Sequence, residues 1–540
     1  MKHSAHAYLN VRVPLRDGVE LATHIYLPAS DGPFPVMFVR TPYDAGGIGG
    51  ALEWTGRGFA YIKQDVRGCY LSDGEYYPCL QERADGEDAI QWICEQPWCN
   101  GRIAMYGGSY VSMTQIAAAL SGHPALRCFT PCLSTSELYH SSYWGGAFRL
   151  AWQSRWTLKP KPEVDREALN WVLPLQEADL RATGTPNRYW RDVLAHPQFD
   201  EFWKPTSTSQ HLASIRAPAF IRTGWFDLHL CDIFDLFVGL REDGATESVR
   251  HSTCMLVGPW PHDINRRVVG EEDFGEGAVL KDLYDDEIAF IRNFTQEASP
   301  APITSAPLRL FIMGKNQWRD EEEWPLARTV FTDFFFASQG HANTAEGDGT
   351  LVSRPFGSPD TFTYDPANPV PSVGGSWDFD NVGPRDQSAI ESRPDVLVYT
   401  SEPLAEDMEV TGPVVVKLFA SSSAVDTDFT AKLVDLREDG TPMSVTDGII
   451  RACCGGLYTA FLVPGQAYEF TIECNPTAYL FRQGHRLRVE ISSSNFPNFS
   501  RNLNLGGELA TETEMAVAQQ TIFHSAECPS RIILPVIPHG

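Results

Sequence analysis

The sequence predicts an α/β chain: a parallel sheet flanked by helices, interrupted by a helical insertion and followed by an all-β sandwich. Three observations predict it. Short apolar runs alternate with helical spacing up to about residue 138. Sheet patterning then fades from 139 to 211, where tryptophans gather, and beyond about residue 316 strand-length apolar runs recur between Gly, Pro, Asn and Asp turns. The expected boundaries are 1–138 and 212–316 for the two parts of the α/β domain, 139–211 for the cap, and 317–540 for the sandwich.

Taken in order, residues 11–13 and 20–27 read as a hairpin about Arg16-Asp17-Gly18. Residues 34–39 and 59–62 are apolar runs suited to buried parallel strands. Residues 85–96 read as a helix: Asp85 and Asp88 supply a capping pair, Ala89, Ile90 and Ile93 an apolar face, and Pro97 a stop. Then comes Ile-Ala-Met-Tyr-Gly-Gly-Ser-Tyr from 103 to 110, a strand that meets a helix with Ser109 at the apex. Gly107 and Gly108 let strand and helix approach closely, as in a nucleophile elbow. Val111 stands where the second glycine of Gly-x-Ser-x-Gly is expected, and an ordinary strand-to-helix turn is the competing reading.

The insertion carries Trp144, Trp152, Trp156, Trp171, Trp190 and Trp203, with a helical stretch at 166–182. These aromatics read first as core of a cap and second as walls of an apolar pocket. Sheet patterning returns at 219–224 and 254–257, so the insertion interrupts one domain. Strands are expected at 410–419, 429–436, 487–493 and 532–536, a spacing that argues for a jelly roll, and residues 340–390 read as long loops.

Composition excludes several classes. Lys plus Arg number 43 against 69 Asp plus Glu, a net charge of −26 that repels nucleic acid and anionic membranes. No run of apolar residues has the length of a membrane span, and the N-terminus lacks the apolar core of a signal peptide, so a cytoplasmic protein is expected. Twelve cysteines include one adjacent pair, Cys453 and Cys454, and no Cys-x-x-Cys, so neither a metal site nor a redox motif is signalled. No cofactor or metal is expected.

A serine nucleophile needs a base, and the base an orienting carboxylate. In α/β-hydrolases the order along the chain is Ser, acid, His. Asp227 follows the run ending Thr223-Gly224-Trp225-Phe226, and His262 follows Gly258-Pro259-Trp260-Pro261. Each lies just past the carboxyl end of an expected strand, where sites of open parallel sheets form. Asp232, Asp235 and His229 are the nearby competitors.

Together, Arg40-Thr41-Pro42-Tyr43, Gln64-Asp65-Val66-Arg67-Gly68, Ser72-Asp73-Gly74, Gln96-Pro97-Trp98, Gly107-x-Ser109-Tyr110, Gly224-Trp225-Phe226-Asp227 and Gly258-Pro259-Trp260-Pro261-His262 resemble the cocaine esterase family of serine hydrolases. That family is related to X-Pro dipeptidyl peptidases, α-amino acid ester hydrolases and glutaryl cephalosporin acylases. The similarity extends to Asp428-Phe429-Thr430-Ala431-Lys432-Leu433 and Asn502-Leu503-Asn504. It implies an α/β-hydrolase domain, a helical cap and a jelly roll, with Ser109 as nucleophile, Asp227 as acid and His262 as base. It also implies that the Tyr43 hydroxyl and the Tyr110 backbone N–H form the oxyanion hole. Phe226, His229 and Trp260, beside the acid and the base in the chain, are the candidate substrate contacts. Ser112, Cys69, Tyr70 and His229 depart from the family pattern.

The expected function is hydrolysis of a small carboxylic ester or activated amide through an acyl-enzyme, with self-association as a homodimer suggested by the resemblance. The alternatives are an X-Pro dipeptidyl peptidase or acylase of the same fold, an acyltransferase, and a non-catalytic binding protein. An exopeptidase would need a carboxylate to grip the substrate ammonium; Glu137, Glu177 and Asp232 are candidates.

Overall fold

The computed structural model describes residues 5–297, 306–377, 381–453 and 460–538. Its first sheet has ten strands: β1 (Ala5–Pro14), β2 (Glu20–Pro28), β3 (Phe34–Thr41), β4 (Ala60–Asp65), β5 (Cys99–Gly108), β6 (Leu126–Cys132), β9 (Phe220–Phe226), β10 (Cys254–Pro261), β13 (Leu308–Ile312) and β14 (Gln317–Glu321). The intervening numbers belong to two-residue pairs, β7 (Tyr143–Trp144) with β8 (Ala147–Phe148) and β11 (Val268–Val269) with β12 (Glu272–Asp273).

The spatial order is β1-β2-β4-β3-β5-β6-β9-β10-β13-β14. From β4 to β13 neighbouring strands are parallel; β1, β2 and β14 are antiparallel. Successive side chains of a strand point to opposite faces. Accordingly Val36 and Phe38 of β3 enter one apolar cluster and Met37 and Val39 the other. Helices cover the sheet: α1 (Ala51–Gly56), α2 (Glu82–Cys94) and α3 (Tyr110–Ala119) follow the early strands, and α2 packs on α3. The helix read at 85–96 begins three residues earlier, at Glu82, and ends two residues earlier, at Cys94.

The insertion is helical, built from α4 (Leu138–Ser142), α5 (Leu150–Leu158), α6 (Arg166–Asn170), α7 (Ala178–Thr183) and α8 (Arg188–Ala195), with 3-10 turns at Leu175–Glu177, Lys204–Thr206 and Ser209–Ser214. The single helix expected at 166–182 is broken in two, with Pro174 ahead of the 3-10 turn, because proline lacks the amide that would continue the ladder. Tyr143, Phe148, Trp190 and Trp203 form the centre of the insertion's own apolar core. Beyond it come α9 (Leu230–Asp243), α10 (Glu247–Ser252) and α11 (Leu283–Thr295).

The second large sheet system is all β and comprises 14 strands among the described residues. Three differences from expectation are physical. β14 belongs to the first sheet, so the α/β domain runs past residue 316; Trp318 anchors this hairpin, packing on Trp260 and donating its indole N–H to the Gly277 carbonyl at 2.7 Å. The strand expected at 410–419 is two, Met408–Gly412 and Val415–Ser422, divided at Gly412 (φ 147°) and Pro413. The stretch read as loops contains Thr350–Val352, Phe356–Ser358 and Asp360–Tyr364, short strands paired to the sheet.

Candidate active site

Ser109 is the single residue between β5 and α3. Its backbone is held at φ 59°, ψ −129°. Such a conformation costs a residue bearing a side chain about 1–3 kcal/mol and persists only where the surroundings impose it. Here β6 imposes it. The Ser109 N–H donates to the Cys132 carbonyl at 2.9 Å. Ser112 Oγ accepts from the Cys132 N–H at 2.8 Å and donates to the Gly107 carbonyl at 2.7 Å. Gly107, at φ 130°, has no room for a side chain: a Cβ there would stand 2.5 Å from Val111 Cγ1. Val111, unexpected in the motif, thus fills the space that Gly107 leaves open.

The strand ends bring the other two groups to this turn. Asp227 directly follows β9, is wholly buried, and places Oδ2 at 2.7 Å from His262 Nδ1. Its Oδ1 accepts the His229 backbone N–H at 2.9 Å. A carboxylate can only accept, so Nδ1 carries the imidazole hydrogen and Nε2 is left as an acceptor. That Nε2 lies 3.0 Å from Ser109 Oγ. Nucleophile, base and orienting acid therefore stand in one hydrogen-bonded line.

Tyr43 lies just beyond β3, its N–H donating to Thr41 Oγ1 at 3.0 Å. Nearly half of its surface is open (48%), yet its hydroxyl is desolvated, and its ring meets the Tyr110 ring edge-on at 6.5 Å. Burial raises the phenol above its ordinary range, so it remains a proton donor. The Tyr110 N–H opens α3 and has no carbonyl one turn back. The Tyr110 ring is buried and its hydroxyl doubly engaged, donating to Glu82 Oε1 at 2.9 Å and accepting the Cys79 N–H at 3.0 Å. Glu82 is in turn paired with the fully buried Arg40, whose Nη1 lies 2.5 Å from Oε2. Burial still raises the Glu82 carboxyl against the pull of Arg40.

The cap closes over this line with α5. Trp152 and Trp156 stack at 5.5 Å; Trp156 faces Tyr110 at 6.3 Å and Trp152 meets His229 edge-on at 5.4 Å. His229 completes the arc, its ring 5.5 Å from that of His262. It is fully buried, neither ring nitrogen has a hydrogen-bond partner, and burial, with the neighbouring His262 and Arg149, holds its pKa well below the usual imidazole value.

Phe226 and Trp260 are placed elsewhere. Phe226 packs on Phe274 in the main core, and Trp260 is fully buried against Trp318 with its N–H on the Ala278 carbonyl. Both are buried strand residues whose recorded contacts are core residues rather than the Ser109 line. The competing Asp232 is occupied as well: its Oδ2 accepts from Thr135 Oγ1 at 2.7 Å and the Glu137 N–H at 2.7 Å. Arg40 and Glu82 carried no site role in the sequence reading, whereas Trp152 and Trp156 were read first as cap core and second as walls of an apolar pocket. The two tryptophans had a signal in their four-residue spacing on one helix; the buried Arg40 and Glu82, 42 positions apart, had none. Among the described residues no cluster of three or more His, Cys, Asp or Glu could hold a metal ion.

The doubly covered sheet, the strained serine at a strand-to-helix turn and the Ser–His–Asp line define a serine hydrolase of the α/β-hydrolase class. Residues 17–263 match the model of the X-Pro dipeptidyl-peptidase (S15) family, and 303–533 that of the X-Pro dipeptidyl-peptidase C-terminal non-catalytic domain. The chain is 38% identical to the cocaine esterase of Rhodococcus sp. (strain MB1 Bresler), over 98% of both sequences. It belongs to the cocaine esterase family. In fold it resembles an aminopeptidase from a marine sediment Thaumarchaeota archaeon (TM-score 0.84, 24% identity, covering 100% and 97% of the two chains). It likewise resembles an α-amino acid ester hydrolase (TM-score 0.83, 24% identity, 98% and 96%). No helix among the described residues is long and apolar enough to cross a membrane.

Proposed function

We propose that this protein hydrolyses carboxylic esters by acyl transfer through Ser109. His262 takes the Ser109 proton at Nε2 as Oγ attacks the ester carbonyl, and the Asp227 carboxylate holds the imidazolium that forms. The tetrahedral oxyanion is received by the Tyr43 hydroxyl and the Tyr110 N–H; each such donor in a dry site is worth roughly 3 kcal/mol. His262 then delivers its proton to the departing alcohol, and water, activated in the same way, releases the acid. The observation that carries this reading is the 2.7 Å and 3.0 Å spacing of Asp227, His262 and Ser109.

A peptidase reading draws on the family models, which are those of dipeptidyl peptidases. It requires a carboxylate free to hold a substrate ammonium. Glu137 Oε1 is taken up by Ser207 Oγ, the Thr208 N–H and the Ser209 N–H at 2.7–3.0 Å, Asp232 Oδ2 is engaged as described, and Glu177 is exposed on the cap surface. Asp232 Oδ1 is without a partner, so what favours the ester reading is the 38% identity to a cocaine esterase. Assay of p-nitrophenyl esters and X-Pro-anilides side by side tests it: wild type is expected to cleave the ester and spare the anilide, and Ser109→Ala to do neither. Anilide cleavage that depends on Ser109, without ester cleavage, would transfer the protein to the peptidases. A cytoplasmic location is part of the proposal, supported by the free thiol state of all ten described cysteines.

A further inference from the structure

The His229 side chain takes no part in the acyl-transfer steps and has no hydrogen-bond partner among the described residues. It is the residue ahead of α9, and its backbone N–H, given to Asp227 Oδ1 at 2.9 Å, fixes it beside the acid. Its ring meets that of His262 at 5.5 Å, inclined by 74°, and that of Trp152 at 5.4 Å, inclined by 86°. It is fully buried, and neither Nδ1 nor Nε2 makes a hydrogen bond. The polar groups around it are engaged elsewhere. The Trp152 indole N–H donates to Ser141 Oγ at 3.1 Å, Arg149 donates to the His140 and Leu228 carbonyls, and both His262 nitrogens serve the catalytic line.

A buried polar group left unpaired is costly, so the missing partner comes from outside the protein, as water or as substrate. Burial, with His262 and Arg149 beside it, keeps the imidazole neutral, one nitrogen a donor and the other an acceptor. A hydroxyl is both donor and acceptor and suits either tautomer. A carboxylate only accepts, and it would lose its hydration in so closed a place. During acylation the alcohol must depart while the acyl half stays on Ser109. The alcohol therefore lies toward the opening, where Tyr43 is half exposed, and the acyl half toward the closed side, where His229 has no exposed surface.

Resting on the ester reading above, we propose that His229 selects esters whose acyl half carries an uncharged hydroxyl near the carbonyl, and that an imidazole nitrogen bonds that hydroxyl. Trp152, edge-on to the ring, and the backbone bond to Asp227 hold the imidazole in place for it. The bond forms when the ester binds and persists in the acyl-enzyme. An acyl half with a methyl group in place of the hydroxyl expels water yet leaves the imidazole unpaired. A site built to hydrogen-bond a substrate hydroxyl rejects the analogue that lacks it.

The test compares ethyl 3-hydroxybutanoate with ethyl 3-methylbutanoate, in which a methyl group replaces the hydroxyl, by titrating the acid released. Wild type is expected to favour the hydroxy ester about tenfold in kcat/KM. His229→Leu should lose that preference, and His229→Gln, which keeps a donor and an acceptor, should retain part of it. Hydrolysis of p-nitrophenyl acetate by wild type checks the ester reading separately. With that hydrolysis present, equal rates of wild type on the two ethyl esters overturn the selection by His229 alone. The same hydroxyl preference in His229→Leu overturns it too, as does a preference confined to the alcohol half, between 2-hydroxyethyl and propyl butanoate.

Discussion

The Tyr110 hydroxyl donates to Glu82 at 2.9 Å, while Arg40 grips the other oxygen of the same carboxylate. Arg40 lies on β3, two residues ahead of the turn to Tyr43, and Tyr110 opens α3 directly after Ser109. One buried ion pair thus ties together the two chain segments that present the proposed oxyanion donors. Tyr110→Phe removes the hydroxyl but keeps the ring and the backbone N–H. Its kcat is expected to fall about tenfold, ~1.4 kcal/mol, with KM unchanged. Affinity for a boronic-acid analogue of the tetrahedral state should fall in parallel. A drop in KM affinity alone would assign Tyr110 to substrate binding instead.

Tyr43→Phe tests the donor itself. Loss of one preorganised donor costs roughly 3 kcal/mol, about a hundredfold in kcat. The melting temperature should hold, because the residue is half exposed. A near-normal kcat would take Tyr43 out of the mechanism.

His229 is a buried imidazole whose nitrogens have no partners. An unsatisfied buried polar group costs about 1–3 kcal/mol, so His229→Leu, of similar volume, is expected to be more stable than wild type by about that amount in chemical denaturation. There is a pH signature. The folded state keeps this ring neutral well below its ordinary value of 6.5, whereas the unfolded chain protonates there. Wild type therefore loses stability as pH falls below that value, and the variant should lose less. Identical pH slopes would contradict the assignment.

Glu490 gives the opposite sign. It is buried, close to Glu391, and burial, outweighing Lys432, raises it to about 7. The folded state holds a proton that the unfolded chain releases near 4.5, so its stabilising share is full below 4.5 and is lost as pH rises through about 7. Glu490→Gln should flatten the decline in melting temperature between those two values. An unchanged decline would place the titration elsewhere.

Much of this was legible in the chain. Continuous apolar runs marked β3, β4 and β5, because parallel strands are buried on both faces. Gly107, Ser109 and the positions of Asp227 and His262 after strands pointed to the three residues that the fold joins in one hydrogen-bonded line. Phe226 and Trp260 misled because nearness in sequence does not bring a side chain to the site: both are buried in core packing, Phe226 on Phe274 and Trp260 on Trp318. The pairing of Arg40 with Glu82 and the closing of Trp156 over Tyr110 both depend on tertiary contact. No local pattern encodes them. The break at Pro174 was visible, but helical spacing on both sides of it masked the interruption.

The central claim is that Ser109 carries the acyl group, and the most direct measurement is a rapid-mixing experiment with a p-nitrophenyl ester, followed by peptide mass analysis of acid-quenched enzyme. A stoichiometric burst of p-nitrophenolate with the acyl mass on the peptide containing Ser109, both absent in Ser109→Ala, is the predicted result. Acylation at another residue, or turnover that survives in Ser109→Ala, would contradict it.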